Sequence, residues 1–285
     1  MWAWWNGEFI DKDKPVIRLE DRGFTFGDGI FEVIRTINGR LLFYDEHLRR
    51  MRQSTAFFGI PFPYDPAVLK PIARELLLRN SVSDGELYLQ LTRGTYPMRT
   101  HRFPPAGTNP TFFMLANPVR TIDPACWERG AAVCTYPDLR HGFCEHKTLD
   151  LLPNVLAKNY AFDRGGYDAL LYREDEIGRY VTEGGSSSYF CVSDGEVITP
   201  ALENILPGIT RRKVLDLALE QGRRVTERRL RLSELLAADE VFLASTVSRV
   251  MPVGRIDATV RPAPGPVTRA LSEAFDLLFR RELFD

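Results

Sequence analysis

At 285 residues the chain has room for about two domains and buries a sizeable core without help from metals or disulfides. Its 37 basic and 38 acidic residues leave a net charge of −1, so no global field recruits nucleic acid or anionic lipid. The longest nearly apolar stretch, Thr111 to Val119, contains Asn117 and Pro118 and falls far short of the ~18 residues a membrane span needs.

The first ten residues hold Trp2, Trp4 and Trp5 but no basic segment, which argues against a secretory leader and makes the cytoplasm the default location. Asn6-Gly7 lies between Trp4-Trp5 and Phe9-Ile10, and Asn38-Gly39 lies between Phe31–Ile37 and Leu41–Phe43. Both dipeptides suit the positive φ angles of a two-residue hairpin. A helix is predicted from about Asp45 to Phe58, with Leu48, Met51, Thr55 and Phe58 on one face and Gly59 as its stop. A second follows Asp65-Pro66, where the carboxylate caps and proline takes the first helical position. Strands over Glu86–Arg93 and Thr111–Ala116 complete a smaller α+β domain, residues 1–116.

The two prolines of Asn117–Pro124 mark an interdomain linker, residues 117–124. Beyond it, strands around Ala131–Thr135, Ala169–Arg173, Tyr189–Val192 and Glu240–Ala244 alternate with helices over Leu152–Arg164, Ile209–Gln221 and Pro266–Glu282. That order predicts a larger α/β domain, residues 125–285, with a barrel-like or curved sheet. A cleft between two such domains is a preferred place for a ligand.

Cys126, Cys134, Cys144 and Cys191 form no CxxC pair, so they read as small buried hydrophobes, with no metal site expected. Only six of the cationic residues are lysines. Of these, Lys147 precedes a helix carrying Leu152, Val155, Leu156 and Tyr160. It reads either as a desolvated amine able to form a Schiff base or as a lysine whose ammonium reaches water. Glu183 ends a strand-like run and is followed by Gly184-Gly185-Ser186-Ser187-Ser188. It is either a carboxylate set against a cationic, planar ligand or a solvated turn residue. Pro207-Gly208-Ile209-Thr210-Arg211 opens a helix whose free amides suit a phosphate, and Ser245-Thr246-Val247-Ser248 follows a strand and offers further donors. Hydroxyls at such positions also serve as ordinary caps. Residues 211–231 carry net charge +5, which reads as a solvated helix face or, in a distant alternative, a nucleic-acid surface.

Together, Glu20-Asp21-Arg22-Gly23, Phe26-Gly27-Asp28-Gly29, Glu46-His47-Leu48-Arg49-Arg50, Leu91-Thr92-Arg93-Gly94, His146-Lys147-Thr148-Leu149 and Thr182–Ser188 resemble the class IV aminotransferases, which use pyridoxal 5'-phosphate. Leu206–Arg211 and Ser245-Thr246 extend the likeness over almost the whole chain. The resemblance implies the two-domain fold type IV, with the cofactor in the interdomain cleft and a homodimer that completes each site. Lys147 matches the Schiff-base lysine and base, and Glu183 matches the carboxylate at the ring nitrogen. Arg50, Ile209, Thr210 and Thr246 match the phosphate cradle, and Ser187 also falls in the cofactor site.

Within the family, Tyr96–Pro104 looks like the Arg-x-His loop of the D-amino acid aminotransferases, which assigns Arg99 and His101 to the substrate carboxylate. Phe31, Val33 and Ser245 then line the substrate. This chain departs from that pattern twice: the run from Gly94 to Arg99 is one residue longer, and Phe31 stands where those enzymes commonly have tyrosine. The expected reaction exchanges the amino group of a D-amino acid with a 2-oxo acid. Branched-chain L-amino acid or (R)-amine transamination and aminodeoxychorismate lyase activity are the alternatives within the family.

Overall fold

A computed structural model describes residues 1–14 and 17–282 of the chain. Their contacts divide it into two compact units, Met1–Arg120 with His146–Asp150 and Glu282, and Thr121–Glu145 with Leu151–Arg281.

The first unit begins with β1 (Trp2–Trp5) and β2 (Glu8–Asp11), and Asn6 and Gly7 turn between them at φ 44° and 107°. There follow α1 (Arg22–Phe26), β3 (Gly29–Ile37), β4 (Arg40–Leu41), α2 (Tyr44–Phe57), α3 (Pro66–Arg79), β5 (Gly85–Thr92) and β6 (Thr111–Pro118). The predicted cap of α3 forms, Asp65 accepting from the Ala67 N–H at 2.8 Å. The strands make one antiparallel sheet in the order β2-β1-β6-β5-β3-β4. Side chains alternate across it. Ile30, Ile34, Leu87, Leu89 and Leu91 join Leu48, Met51, Leu69, Ala73 and Leu76 of the two longer helices in the core. Phe31, Val33, Tyr88 and Gln90 therefore lie on the opposite face. Strand β6 runs two residues past the predicted Ala116, into the stretch expected to be linker.

The second unit contains α4 (Ala125–Glu128), β7 (Ala131–Pro137), α5 (Leu152–Phe162), β8 (Asp168–Asp175), β9 (Gly178–Gly184), β10 (Ser188–Ser193) and β11 (Glu196–Pro200). It continues with α6 (Ile209–Glu220), β12 (Val225–Arg228), β13 (Leu230–Arg231), α7 (Leu232–Ala237), β14 (Glu240–Ser245), β15 (Arg249–Ile256), β16 (Thr259–Val260) and α8 (Pro266–Glu282). The sheet runs β12-β11-β10-β14-β15-β7-β8-β9-β13 and curls until β9 also packs against β10 and β11, giving the expected barrel-like form. Helices α5 and α6 are crossovers between parallel neighbours, β7 to β8 and β11 to β12.

Helix α5 forms where the sequence predicts it. Its small residues, Ala157 and Ala161, pack on the sheet with Cys134, Ala169 and Leu171, while Leu152, Val155, Leu156 and Phe162 are exposed on the chain. The close approach of helix to sheet needs the alanines inward. Cys134, Cys144 and Cys191 are buried and Cys126 half-buried, all as free thiols. Among the described residues no helix is long and apolar enough to cross a membrane.

Candidate active site

In the first unit, the five residues His146–Asp150 run beside β3. The Phe31 N–H donates to the Lys147 carbonyl at 2.9 Å, the Leu149 N–H donates to the Gly29 carbonyl at 3.1 Å, and Thr148 bridges to Ile30. The His146 ring stacks on Phe57 with centroids 4.2 Å apart, and its Nδ1 lies 3.1 Å from the Ser54 hydroxyl. Both flanks of Lys147 are thus fixed. Its Nζ sits 4.2 Å from the centre of the Phe31 ring, and the side chain is half-buried. The amine's apolar wall is therefore Phe31, whose own ring stacks on Tyr88 at 5.7 Å. Val33 shares that sheet face.

On the opposite face, Glu32 is wholly buried. Its Oε1 accepts from Arg50 Nε at 2.7 Å, and its Oε2 accepts from Arg50 Nη2 and lies against His47 Nδ1, both at 2.7 Å. Burial pushes the Glu32 carboxyl upward, but Arg50 and His47 outweigh it and hold the group down at about 2. His47 is lowered by its burial. An ionised Glu32 can only accept, so His47 carries its proton on Nδ1.

Asp21 caps α1 by accepting from the Gly23 N–H at 2.8 Å, and it also accepts the Thr111 hydroxyl at 2.7 Å. Asp28 accepts from Arg22 Nε at 2.7 Å and Arg93 Nε at 2.9 Å, and Arg93 donates onward to the Phe58 and Gly59 carbonyls. Gly94, at φ +88°, lets the chain pass where a Cβ would stand 2.0 Å from the Asn109 carbonyl oxygen. These contacts clamp the base of the 95–110 loop. Arg22 then donates to the Thr100 carbonyl at 2.8 Å, between Arg99 and His101. The Arg99 guanidinium lies 4.8 Å over the Phe26 ring, with His101 5.4 Å from the same ring. Arg99 is exposed on the single chain, as is His101.

In the second unit, Glu183 is buried at the end of β9. It pairs with Arg140, and the Leu206 N–H reaches it at 3.3 Å. Burial raises its carboxyl above the usual range, with Arg140 pulling it back. Arg140 is anchored in turn by two bonds to Asp138, at 2.8 and 2.9 Å, and Asp138 also takes Arg173 at 3.1 Å and the Thr182 hydroxyl at 2.9 Å. The Gly184–Ser188 turn is held by the Gly184 N–H donating to the Ser187 carbonyl at 2.6 Å, and by the Ser187 hydroxyl donating to buried Asp168. Lys158 closes the same cluster, 3.2 Å from both Asp168 and the Ser186 hydroxyl.

Ile209 and Thr210 start α6, whose first amides have no partner within the helix, and Thr210 is buried there. Ser245 accepts the Ser248 N–H at 3.1 Å, shaping the turn that carries half-buried Thr246. The predicted site residues thus lie in two groups. Phe31, Val33, Arg50, Arg99, His101 and Lys147 belong to the first unit, and Glu183, Ser187, Ile209, Thr210, Ser245 and Thr246 to the second. Sequence pattern alone does not single out Arg140, Asp138 or Glu32. The arginines of residues 211–231 meet acids of the chain, as in Arg211 with Glu227, Arg228 with Glu234 and Arg231 with Asp175.

Residues 29–256 match the family model for amino-transferase class IV. The chain belongs to the class IV aminotransferases. Curated D-alanine aminotransferases are similar over nearly its whole length. That of Bacillus licheniformis is 39% identical over 94% of each chain, and that of Listeria monocytogenes 35% identical over 95% of this chain and 93% of its own. Among solved structures, a branched-chain amino acid aminotransferase from Escherichia coli superposes with a TM-score of 0.89 at 26% identity, covering 99% of this chain and 95% of its own. A hypothetical aminotransferase from Mycobacterium tuberculosis, in its PLP-bound form, shares the fold with a TM-score of 0.83 at 23% identity, over 97% of this chain and 98% of its own. The fold is therefore fold type IV, and class IV aminotransferases are pyridoxal-phosphate enzymes.

Proposed function

We propose that this aminotransferase uses pyridoxal 5'-phosphate to move the amino group of a D-amino acid, of the D-alanine or D-glutamate type, to a 2-oxo acid. The observation that carries the donor class is the clamped loop presenting Arg99 and His101. An arginine offers two parallel donors to a carboxylate and so fixes orientation as well as charge. That its relatives at 35% and 39% identity are D-alanine aminotransferases supports a D-amino acid donor for this chain.

The residues present suit the cofactor. Lys147 Nζ, held over Phe31, is the amine that would bind the aldehyde. Glu183 is a buried carboxylate whose charge is stabilised by Arg140, and it would hold a proton on the ring nitrogen, with Ser187 beside it. The phosphate would take the Ile209 and Thr210 amides, the Thr210 and Thr246 hydroxyls and Arg50. When bound, the cofactor supplies an electron sink for the substrate Cα. Lys147 Nζ would be the base that holds and moves the proton of the substrate Cα. Phe31, Val33 and Ser245 line the substrate, and Arg99 and His101 hold its carboxylate.

The working assembly in this proposal is a homodimer in the cytoplasm, and the exposed Leu152, Val155, Leu156 and Phe162 of α5 are its apolar contact face. The visible spectrum of the purified protein tests the proposal. Its cofactor band should bleach with D-alanine or D-glutamate and persist with L-leucine or an (R)-amine. The reverse pattern refutes the donor assignment.

A further inference from the structure

Arg22 and Phe26 have no role in the reaction as derived, yet both meet the tip of the 95–110 loop. They stand four residues apart on α1, so helix geometry sets them on one face. Arg22 is buried, and its partners offset the cost of burying a charge: Nε donates to Asp28 at 2.7 Å and Nη1 to the Thr100 carbonyl at 2.8 Å. Asp28 is shared with Arg93, which also holds the Phe58 and Gly59 carbonyls, so the anchor of the loop tip reaches the end of α2. Phe26 takes the residues on either side of Thr100. The Arg99 guanidinium lies 4.8 Å over its ring, and the centre of the His101 ring is 5.4 Å away. Arg22 lies over the same ring at 4.8 Å, with its charge offset by Asp28. A ring attracts a cation without neutralising it, so Arg99 keeps a full charge for an anion.

We infer that Arg22 and Phe26 are positioning residues that set the donor class: Arg22 pins the backbone between Arg99 and His101, and Phe26 holds both side chains against one ring, so that a carboxylate meets them as a preformed pair. The inference rests on the reading that Arg99 and His101 take the donor carboxylate. Arg22→Met isolates the effect, because Asp28 keeps Arg93 at 2.9 Å and the base of the loop stays clamped. A loop tip released in this way still carries both side chains. What it loses is the fixed geometry that a two-point carboxylate contact needs, and a donor without a carboxylate has no use for that geometry.

The measurement is the half-reaction of the purified holoenzyme, followed by bleaching of its cofactor band at increasing D-alanine or D-alaninol, in which a hydroxymethyl group replaces the carboxylate. Hydrogen exchange of the loop amides accompanies it. Arg22→Met should lower the second-order rate constant for D-alanine about tenfold, through a higher half-saturation concentration, while D-alaninol stays within about twofold. Phe26→Leu should shift D-alanine in the same direction by about threefold. In an Arg99→Ala, His101→Ala background, Arg22→Met should change neither donor by more than about twofold, because its effect acts through that pair. Amides of residues 98–103 should exchange faster in Arg22→Met, with β5 and β6 as protected as in the wild type. Loss of both donors in parallel, or faster exchange throughout β5 and β6, marks a merely structural role and overturns the inference, as does an Arg22→Met variant that handles D-alanine as the wild type does. Should Arg22→Met fail to fold, Phe26→Leu decides: a silent variant overturns the inference and a loss confined to D-alanine supports it. If Arg99→Ala keeps the wild-type preference for D-alanine over D-alaninol, the carboxylate reading itself is refuted, which separates that failure from this one.

Discussion

Replacing Arg140 by methionine removes the guanidinium that links Asp138 to Glu183. Asp138 keeps Arg173 at 3.1 Å and the Thr182 hydroxyl at 2.9 Å. The loss therefore falls on Glu183, left with the Leu206 amide at 3.3 Å. The side chains of Arg140 and Glu183 are 7% and 8% exposed, so water screens the pair little. Breaking a buried pair from one side costs about 3–5 kcal/mol, because the remaining charge stays desolvated. At about 2–4 °C per kcal/mol the melting temperature should fall by roughly 6–20 °C.

The pH dependence carries the sign. Burial already raises the Glu183 carboxyl, and Arg140 opposes it. Without Arg140 the folded-state value rises further above that of the unfolded chain. A carboxyl raised on folding contributes stability that is fully present below its unfolded pKa and is lost as pH rises through the folded one. The deficit of Arg140→Met should thus be smallest near pH 5 and largest near pH 8. Thermal melts of wild type and variant across that range check this. A deficit that is flat with pH, or below about 2 °C, refutes the reasoning.

Borohydride reduction followed by peptide mapping should place the pyridoxyl group on Lys147, and finding it on Lys158 would refute the assignment. Truncating Arg99 to alanine should cost about 2–5 kcal/mol in kcat/KM for carboxylate-bearing donors and leave an amine without a carboxylate almost unaffected. Phe31→Tyr, which supplies a phenol on the sheet face beside Lys147, should improve D-amino acid use in the same kinetic assay. Val155→Glu puts a charge in the exposed apolar stripe of α5 and should shift the protein from dimer to monomer in sedimentation; an unchanged mass rules that face out as the contact.

Local signals make most of the elements legible in the sequence. Asn-Gly pairs turn both predicted hairpins because they tolerate positive φ, and Asp65-Pro66 starts α3 with the geometry expected of a carboxylate cap. The face that α5 buries is not legible in the sequence: its alanines pack on the sheet, as a tight approach of helix to sheet requires, while its large apolar residues are exposed. Arg140 is illegible because Asp138-Leu139-Arg140 lies in a loop with no periodicity, and its partner Glu183 is more than forty residues further on. Glu32 leaves a trace: a carboxylate between Phe31 and Val33 falls on the inward side of a strand that is otherwise Ile30 and Ile34 there, and His47 and Arg50 repeat at helical spacing among buried residues.

The placement of His146–Asp150 has a consequence for how the gene can be divided. By its contacts this segment belongs to the first unit, while residues on both sides belong to the second, so the backbone passes from one unit to the other at 120/121, 145/146 and 150/151, and again at 281/282. A single cut between the units gives two incomplete pieces. A 1–120 fragment would expose the Gly29 carbonyl and the Phe31 N–H along β3, and would lack Lys147, the proposed Schiff-base lysine. Chimeras exchanging donor specificity among relatives are therefore better made by transplanting the 95–110 loop than by swapping halves, because the loop enters and leaves within one unit.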